Sequence, residues 1–185
     1  WQQAAVLPAC FQHLAINISP KQFVQPDFVE QLTRLQLTGI DLQLISLELT
    51  ENMLIENVEQ AALTMGQLKQ LGIHFSIDDF GTGYSSLRYL KHLPLNQLKI
   101  DKSFIQDIRT DASNLVIIET IIAMAQSLNL EIIAEGVETL QEQQTLLALG
   151  CPNYQGYLYS RPVPAAEFEQ LIADKGNIRP AILVE

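Results

Sequence analysis

Six short apolar segments recur along the 185-residue chain, each followed by a stretch with helical periodicity. They are Leu14–Ser19, Leu44–Leu49, His74–Asp78, Gln97–Asp101, Leu130–Glu135 and Asn153–Leu158. Their spacing of roughly 30 residues is that of a repeated βα unit. This alternation leaves few folds open, because strands joined through helices pair in parallel and a parallel sheet is covered by those helices. Helices read from about Asp27 to Leu37, with Phe28, Leu32 and Leu35 on one face and Gly39 as the stop, and from Val58 to Leu71, closed by Gly72. Two more run from a cap at Asp111 or Ser113 to about Leu128, and from a capping box at Thr139–Glu142 to Gly150. A short helix near Ser85–Leu90 leads to Pro94, and Pro164 sits in the first turn of a last helix ending near Gly176. Residues Trp1–Phe11 read as the tail of a helix and a loop.

Polar residues stand at or just past the C-terminal end of every strand: Asn17, Glu48, Asp78 with Asp79, Lys99 with Asp101, Glu135 with Glu138, and Gln155. In a (β/α)8 barrel the active site lies at that end, and in an open doubly wound sheet the ligand binds there too. The barrel fits better, since such residues recur on all the strands and not at one switch point. Any one of them alone is an ordinary surface residue at a strand end; six together are not. The Asp78-Asp79 pair raises a geometric question, because adjacent strand residues point to opposite faces. The two carboxylates share one site only if the strand has ended there, and Gly81 and Gly83 permit the turn. Carboxylates that close repel, and a hard divalent cation relieves them.

Composition bounds the partners. The formal charge of −10 argues against a basic groove for long nucleic acid, though a small phosphodiester held through a metal remains compatible with it. No apolar run reaches the ~20 residues of a membrane span. Cys10 and Cys151 match no metal spacing and read as reduced thiols, which places the domain in the cytoplasm, whether or not the parent protein is membrane-anchored.

The motifs Ile16-Asn17-Ile18-Ser19, Leu47-Glu48-Leu49-Thr50-Glu51, Ile77-Asp78-Asp79-Phe80-Gly81-Thr82-Gly83-Tyr84-Ser85-Ser86-Leu87, Leu98-Lys99-Ile100-Asp101-Lys102-Ser103-Phe104, Ala134-Glu135-Gly136-Val137-Glu138-Thr139 and Gln155-Gly156-Tyr157 cover nearly the whole chain. In that order they resemble the EAL domain, the family that hydrolyses the bacterial second messenger cyclic di-GMP. The resemblance implies a TIM-like (β/α)8 barrel with about six of its eight strands present, and Mg²⁺ or Mn²⁺ at a two-metal site. It implies Asn17, Glu48, Asp78, Asp79 and Glu135 as metal ligands, and Lys99, Asp79 and Glu138 as catalytic residues. Asp101 and Gln155 would belong to the substrate and water shell. Glu51 would anchor the loop carrying Asp79 to Ser86, which the family uses in dimer contacts and control. Cyclic di-GMP, a second copy of the domain and attached sensor or diguanylate-cyclase domains are the implied partners, and linear 5′-pGpG the implied product.

The chemistry agrees with that assignment. Phosphodiester hydrolysis needs a hydroxide at neutral pH, neutralised phosphoryl oxygens and an in-line approach, all supplied by a two-metal clamp ~3.5–4 Å across. Ca²⁺, with longer and looser bonds, is expected to bind but to inhibit. One departure stands out: the sequence lacks the Glu-Ala-Leu that names the family, and its strand at Asn17 matches the family's third. The expectation is therefore a domain lacking its first two strands and one metal-binding glutamate, 1–185 being a partial EAL domain with poor activity by itself. Alternatives are a non-catalytic cyclic di-GMP receptor, a dimerisation module with a vestigial site, and an enolase-type proton-abstracting site, which leaves the Asp-Asp-glycine turn unexplained.

Overall fold

The computed structural model describes residues 13–83, 87–108 and 111–174. Within them, β1 (Leu14–Asn17) is followed by α1 (Pro20–Phe23) and α2 (Phe28–Leu37). Next come β2 (Ile45–Thr50), α3 (Glu51–Glu56) and α4 (Val58–Gln70), then β3 (His74–Phe80) and α5 (Leu87–Leu90). The chain continues through β4 (Gln97–Ile100), α6 (Lys102–Gln106), α7 (Ala112–Ser127), β5 (Glu131–Ala134), α8 (Leu140–Ala148), β6 (Asn153–Tyr154) and α9 (Ala165–Asp174). The six strands form one sheet in the order of the sequence, and every pairing is parallel. This is the expected succession of βα units, a curled part of a TIM-like barrel in which β1 and β6 are each paired on one side only among the described residues. The expectations for Trp1–Phe11, Cys10 and Gly176 lie outside those residues.

Strand periodicity of two sorts the side chains. Leu47, Leu49, Phe75, Ile77, Leu98 and Ile100 are all buried to 1% exposure or less and pack with the helices in the main core. Burying each such side chain contributes about 1.5–3 kcal/mol. The alternate residues Glu48, Ser76, Asp78 and Lys99 take the other face and build the site. The helix α7 covers β4 and β5 through Ile118, Ile121, Ile122 and Ala125.

The structure departs from the sequence reading in several places. The last strand has two residues, not six; Gln155 still donates its amide N–H to the Ala134 carbonyl (2.8 Å), after which the chain turns. On the apolar face of α2, Leu35 is 46% exposed, leaving Phe28 as that helix's buried anchor. Three short helices follow directly on strands. The first is opened by a Ser19–Gln22 capping box with Pro20 in its first turn, and α6 is capped by the Asp101 carboxylate accepting from the Ser103 amide. Of the two caps considered for α7, Asp111 serves. Pro164 precedes α9 and accepts its first backbone bonds from Glu167 and Phe168.

The turn after β6 depends on a close approach. A Cβ at Gly156 would stand 2.2 Å from the Val137 carbonyl oxygen and 2.3 Å from the Val137 nitrogen, distances that only backbone movement could relieve. The Gly156→Ala variant is therefore expected to lose about 3 kcal/mol or more of stability, read as a lower midpoint in urea denaturation with unchanged slope.

Candidate active site

The adjacent carboxylates come together by a device the sequence reading did not anticipate. The strand does not end at Asp78; β3 continues to Phe80. Between the pairs Ile77↔Leu98 and Phe80↔Ile100, β3 spends one residue more than β4, which is a β-bulge. Asp79 takes up the irregularity with φ +54°, a left-handed conformation that Asp tolerates better than most residues. Gly81, at φ +98°, then turns the chain under Phe104, whose ring would stand 2.9 Å from any Cβ placed there. The result is that oxygen atoms of Asp78, Asp79 and Glu135 lie within 4.8 Å of one another.

Lys99 stands at the centre. Its ammonium is 2% exposed and meets Glu48 Oε1 at 2.8 Å, Asp78 Oδ1 at 3.1 Å and Glu135 Oε1 in a still closer contact. These residues come from β2, β3, β4 and the residue after β5, so four successive strands aim at one point. Burial by itself would make Lys99 less basic, but Glu135, Glu48 and Asp78 outweigh it, and the lysine remains a cation well above neutral pH. Three carboxylates around one ammonium leave surplus negative charge. Burial, reinforced by Asp78 and Glu48 against the pull of Lys99, pushes the Glu135 carboxyl up to about 7. Burial also raises Glu48, again against Lys99.

The remaining expected residues form a ring around this centre. Asn17 is the register partner of Glu48 on β1 and is exposed. Asp79, itself exposed, is raised by burial and by the nearby Asp78 and Asp101, with which it shares a hydrogen bond. Asp101 is held below the usual carboxylate range, against the effect of burial, by the hydroxyl and amide of Ser103. Gln155 donates its amide to Glu135 Oε1 at 3.0 Å. Glu138 does not join the carboxylate cluster; it is exposed and lines an adjoining cavity of about 300 Å³ with Lys102, Glu135, Gln155, Tyr157 and Tyr159. Glu51 is buried at 7% exposure, and its Oε2 lies 3.5 Å from where a Gly83 Cβ would be, directly against the turn after Asp79. The loop beyond it, Tyr84–Ser86, lies outside the described residues. Sequence reasoning missed Ser103 and the pairing of Gln155 with Glu135. The first was signalled by the Asp-x-Ser spacing of a helix cap; the second had no local signal.

The donor set suits a hard divalent cation. It offers carboxylate oxygens from Asp78, Asp79 and Glu135, and Glu48, on the other side of Lys99, has its Oε2 buried with no hydrogen-bond partner. An acceptor in that state costs about 1–3 kcal/mol unless a donor or a cation meets it.

Comparison with known proteins follows the same lines. The sequence profile of the EAL domain matches residues 2–162. The signaling protein YkoW of Bacillus subtilis is 45% identical over 166 residues, covering 88% of this chain and 20% of that protein. The bifunctional diguanylate cyclase/cyclic di-GMP phosphodiesterase MucR of Pseudomonas aeruginosa is 41% identical over 162 residues, 87% of this chain and 23% of that protein. The solved MucR phosphodiesterase, in complex with c-di-GMP, superimposes with a TM-score of 0.81 at 40% identity over 84% of this chain and 64% of that one. Klebsiella pneumoniae BlrP1, solved with cy-diGMP and either manganese or calcium, gives a TM-score of 0.74 at 32% identity over 80% of this chain and 38% of that one. The chain thus spans about a fifth of the length of these curated relatives.

The crowded carboxylates have a consequence for stability. A carboxyl raised in the folded state binds its proton better folded than unfolded, so its contribution is greatest at low pH and is lost as pH rises from the unfolded value towards 7. His13, lowered by burial and by His74, acts in the opposite sense over part of that range. Comparison with Glu135→Gln isolates the acidic part. Without divalent cations, the variant is expected to come closest to wild type near pH 4 and to melt at a higher temperature above pH 7.5; parallel melting curves at both pH values would contradict the charge surplus.

Proposed function

The chain belongs to the EAL-domain family, and from that membership we propose that it forms the greater part of a divalent-metal-dependent phosphodiesterase domain hydrolysing cyclic di-GMP to linear 5′-pGpG. The observation that carries this reading is the convergence of Glu48, Asp78 and Glu135 on buried Lys99 beside the bulged Asp79. The family includes cyclic di-GMP phosphodiesterases, and the BlrP1 complexes with manganese and calcium support metal ions at such a site.

Glu48, Asp78, Asp79 and Glu135, with Asn17 as a neutral oxygen beside Glu48, would hold the cations. Bound Mg²⁺ or Mn²⁺ supplies neutralisation of the phosphoryl oxygens and acidification of water near neutral pH. This chain's own residues do the rest. Lys99 places a fixed positive charge where negative charge builds in the transition state. Gln155 orients Glu135 through its amide. Asp101, fixed by Ser103 and held below the usual carboxylate range, is the acceptor of the hydrogen bond it shares with Asp79, so the shared proton belongs to Asp79 and a cation there would displace it. Glu138, on the cavity wall, would take or return a proton at the phosphodiester. Glu51, pressed against Gly83, steadies the turn that carries Asp79. Further domains in the parent protein would supply the controlling input.

The test is product chromatography on the full-length protein with cyclic di-GMP and Mg²⁺ or Mn²⁺. Appearance of 5′-pGpG, abolished by Asp78→Asn, is the expected result; tight binding without product would make the domain a receptor. Lys99→Met should lower kcat by about 10²–10³-fold while KM changes little. Mn²⁺ affinity should fall by about tenfold per pH unit below about 7, because a proton on Glu135 competes with the metal. Calorimetry in buffers of different ionisation enthalpy would show roughly one proton released at pH 6 and almost none at pH 8.5.

A further inference from the structure

Beside the wall that α6 supplies with Lys102 and Gln106, the cavity next to the carboxylates has two further walls, and consecutive residues at the start of α8 hold both. One wall is the segment from Glu135 to Glu138, the other the segment from Gln155 to Pro162. On the first, Glu142 Oε2 accepts the backbone N–H groups of Glu138 (2.8 Å) and Thr139 (3.0 Å), while Thr139 Oγ1 returns a bond to the Glu142 amide. On the second, Gln143 Nε2 donates to the hydroxyl of Tyr159 at 2.7 Å and to that of Tyr154 in a shorter contact. The two tyrosine rings stack with centroids 5.5 Å apart and planes 22° from parallel. The segment between them contains Gln155, whose side chain meets Glu135, and Gly156, which lies against the Val137 backbone.

We infer that Gln143 is the positioning residue of this second wall: its amide clamps Tyr154 and Tyr159 together and so fixes the loop between them, with Gln155 and the cavity face of Tyr159. The geometry has the parts a clamp needs. Tyr154 ends β6 and is tied to β5 by the sheet, so it is the fixed jaw. Tyr159 follows the turn, which the backbone ties through Leu158 N–H to the Val137 carbonyl (3.0 Å) and Tyr159 N–H to the Gly156 carbonyl (3.1 Å), and Gln143 supplies the side-chain tie. A single primary amide offers two N–H donors, enough for both hydroxyls at once, and α8 is anchored at this end by its capping box. Burial and the facing Tyr154 hydroxyl both push the Tyr159 phenol above its ordinary value, so it remains a neutral partner at physiological pH. Gln143 does not line the cavity and touches no member of the carboxylate cluster. Its loss should therefore act first on how the cavity receives substrate, and reach the cluster only through the single bond from Gln155 to Glu135.

The inference rests on the phosphodiesterase reading for its kinetic arm alone. In the full-length protein, Gln143→Leu is expected to raise KM for cyclic di-GMP roughly five- to tenfold, the scale of one or two lost hydrogen bonds. Mn²⁺ affinity by calorimetry should change by a smaller factor than KM, since the clamp reaches the cluster only through Gln155. Gln143→Glu, whose carboxylate can accept from both phenols, should restore KM. If Gln143→Leu fails to fold, Tyr159→Phe, which keeps the ring stack and removes one hydroxyl, should shift KM in the same direction by a smaller factor. Hydrogen–deuterium exchange of the peptide spanning 154–160 gives an independent arm: faster in Gln143→Leu, wild-type in Gln143→Glu. Unchanged KM and unchanged exchange in the folded leucine variant would overturn the clamp. A wild-type protein with no hydrolysis would overturn the proposed function instead, and the exchange comparison would still decide the role of Gln143.

Discussion

One ammonium group sets the terms for the whole carboxyl end of this sheet. Lys99 is 2% exposed, and a buried cation is tolerable only with counter-charges at hydrogen-bond distance. Its partners come from the neighbouring strands on both sides, Glu48 and Asp78 from one and Glu135 from the other. Burying the lysine thus requires the strands to keep their register, and keeping the register gathers acids faster than one lysine can neutralise them. The deficit is visible in Glu135, pushed up to about 7, and in the raised Asp79. A site with that imbalance favours added positive charge, which is the property a metal-dependent hydrolase needs in its resting state.

Below that cluster the interior stays ordinary. Ser76 lies next to Glu48 in register and is fully buried, and with Ser46 it continues the carboxylate face downward on β2 and β3, while the opposite face of these two strands is entirely aliphatic or aromatic. The division of labour within each strand follows from the pleat: one set of alternate residues pays the entropy of folding, and the other is left for chemistry.

Much of this was legible in the sequence, and the exceptions have physical reasons. The six strands and their polar ends were readable because period-two burial and a carboxyl-end site are both local signals. The long helices were readable from apolar spacing and from Gly39, Gly72 and Gly150 after their ends. The six-residue reading of the last strand failed because Gly156 breaks away against Val137, a contact made by residues nearly twenty positions apart. Leu35 reads as part of one face with Phe28 and Leu32 yet is exposed, because spacing gives a helix's apolar stripe but not how far the neighbouring elements reach to cover it. Glu138 sits in a matched motif yet faces the cavity and not the cluster, since the tight turn at Gly136 (φ +69°) separates it from Glu135.

The bulge in β3 carries one more implication. A plain strand has parity: odd positions serve one side of the sheet and even positions the other. The extra residue between Ile77 and Phe80 switches parity inside a single motif, so that neighbours in the chain become neighbours in space. The site is consequently encoded as much in chain length as in residue type. Removing a single residue from this turn would keep every remaining side chain and yet restore the even count, sending one carboxylate back among the apolar side chains. For such a segment, insertions and deletions are the severe class of change, and a substitution that preserves the count is the milder one.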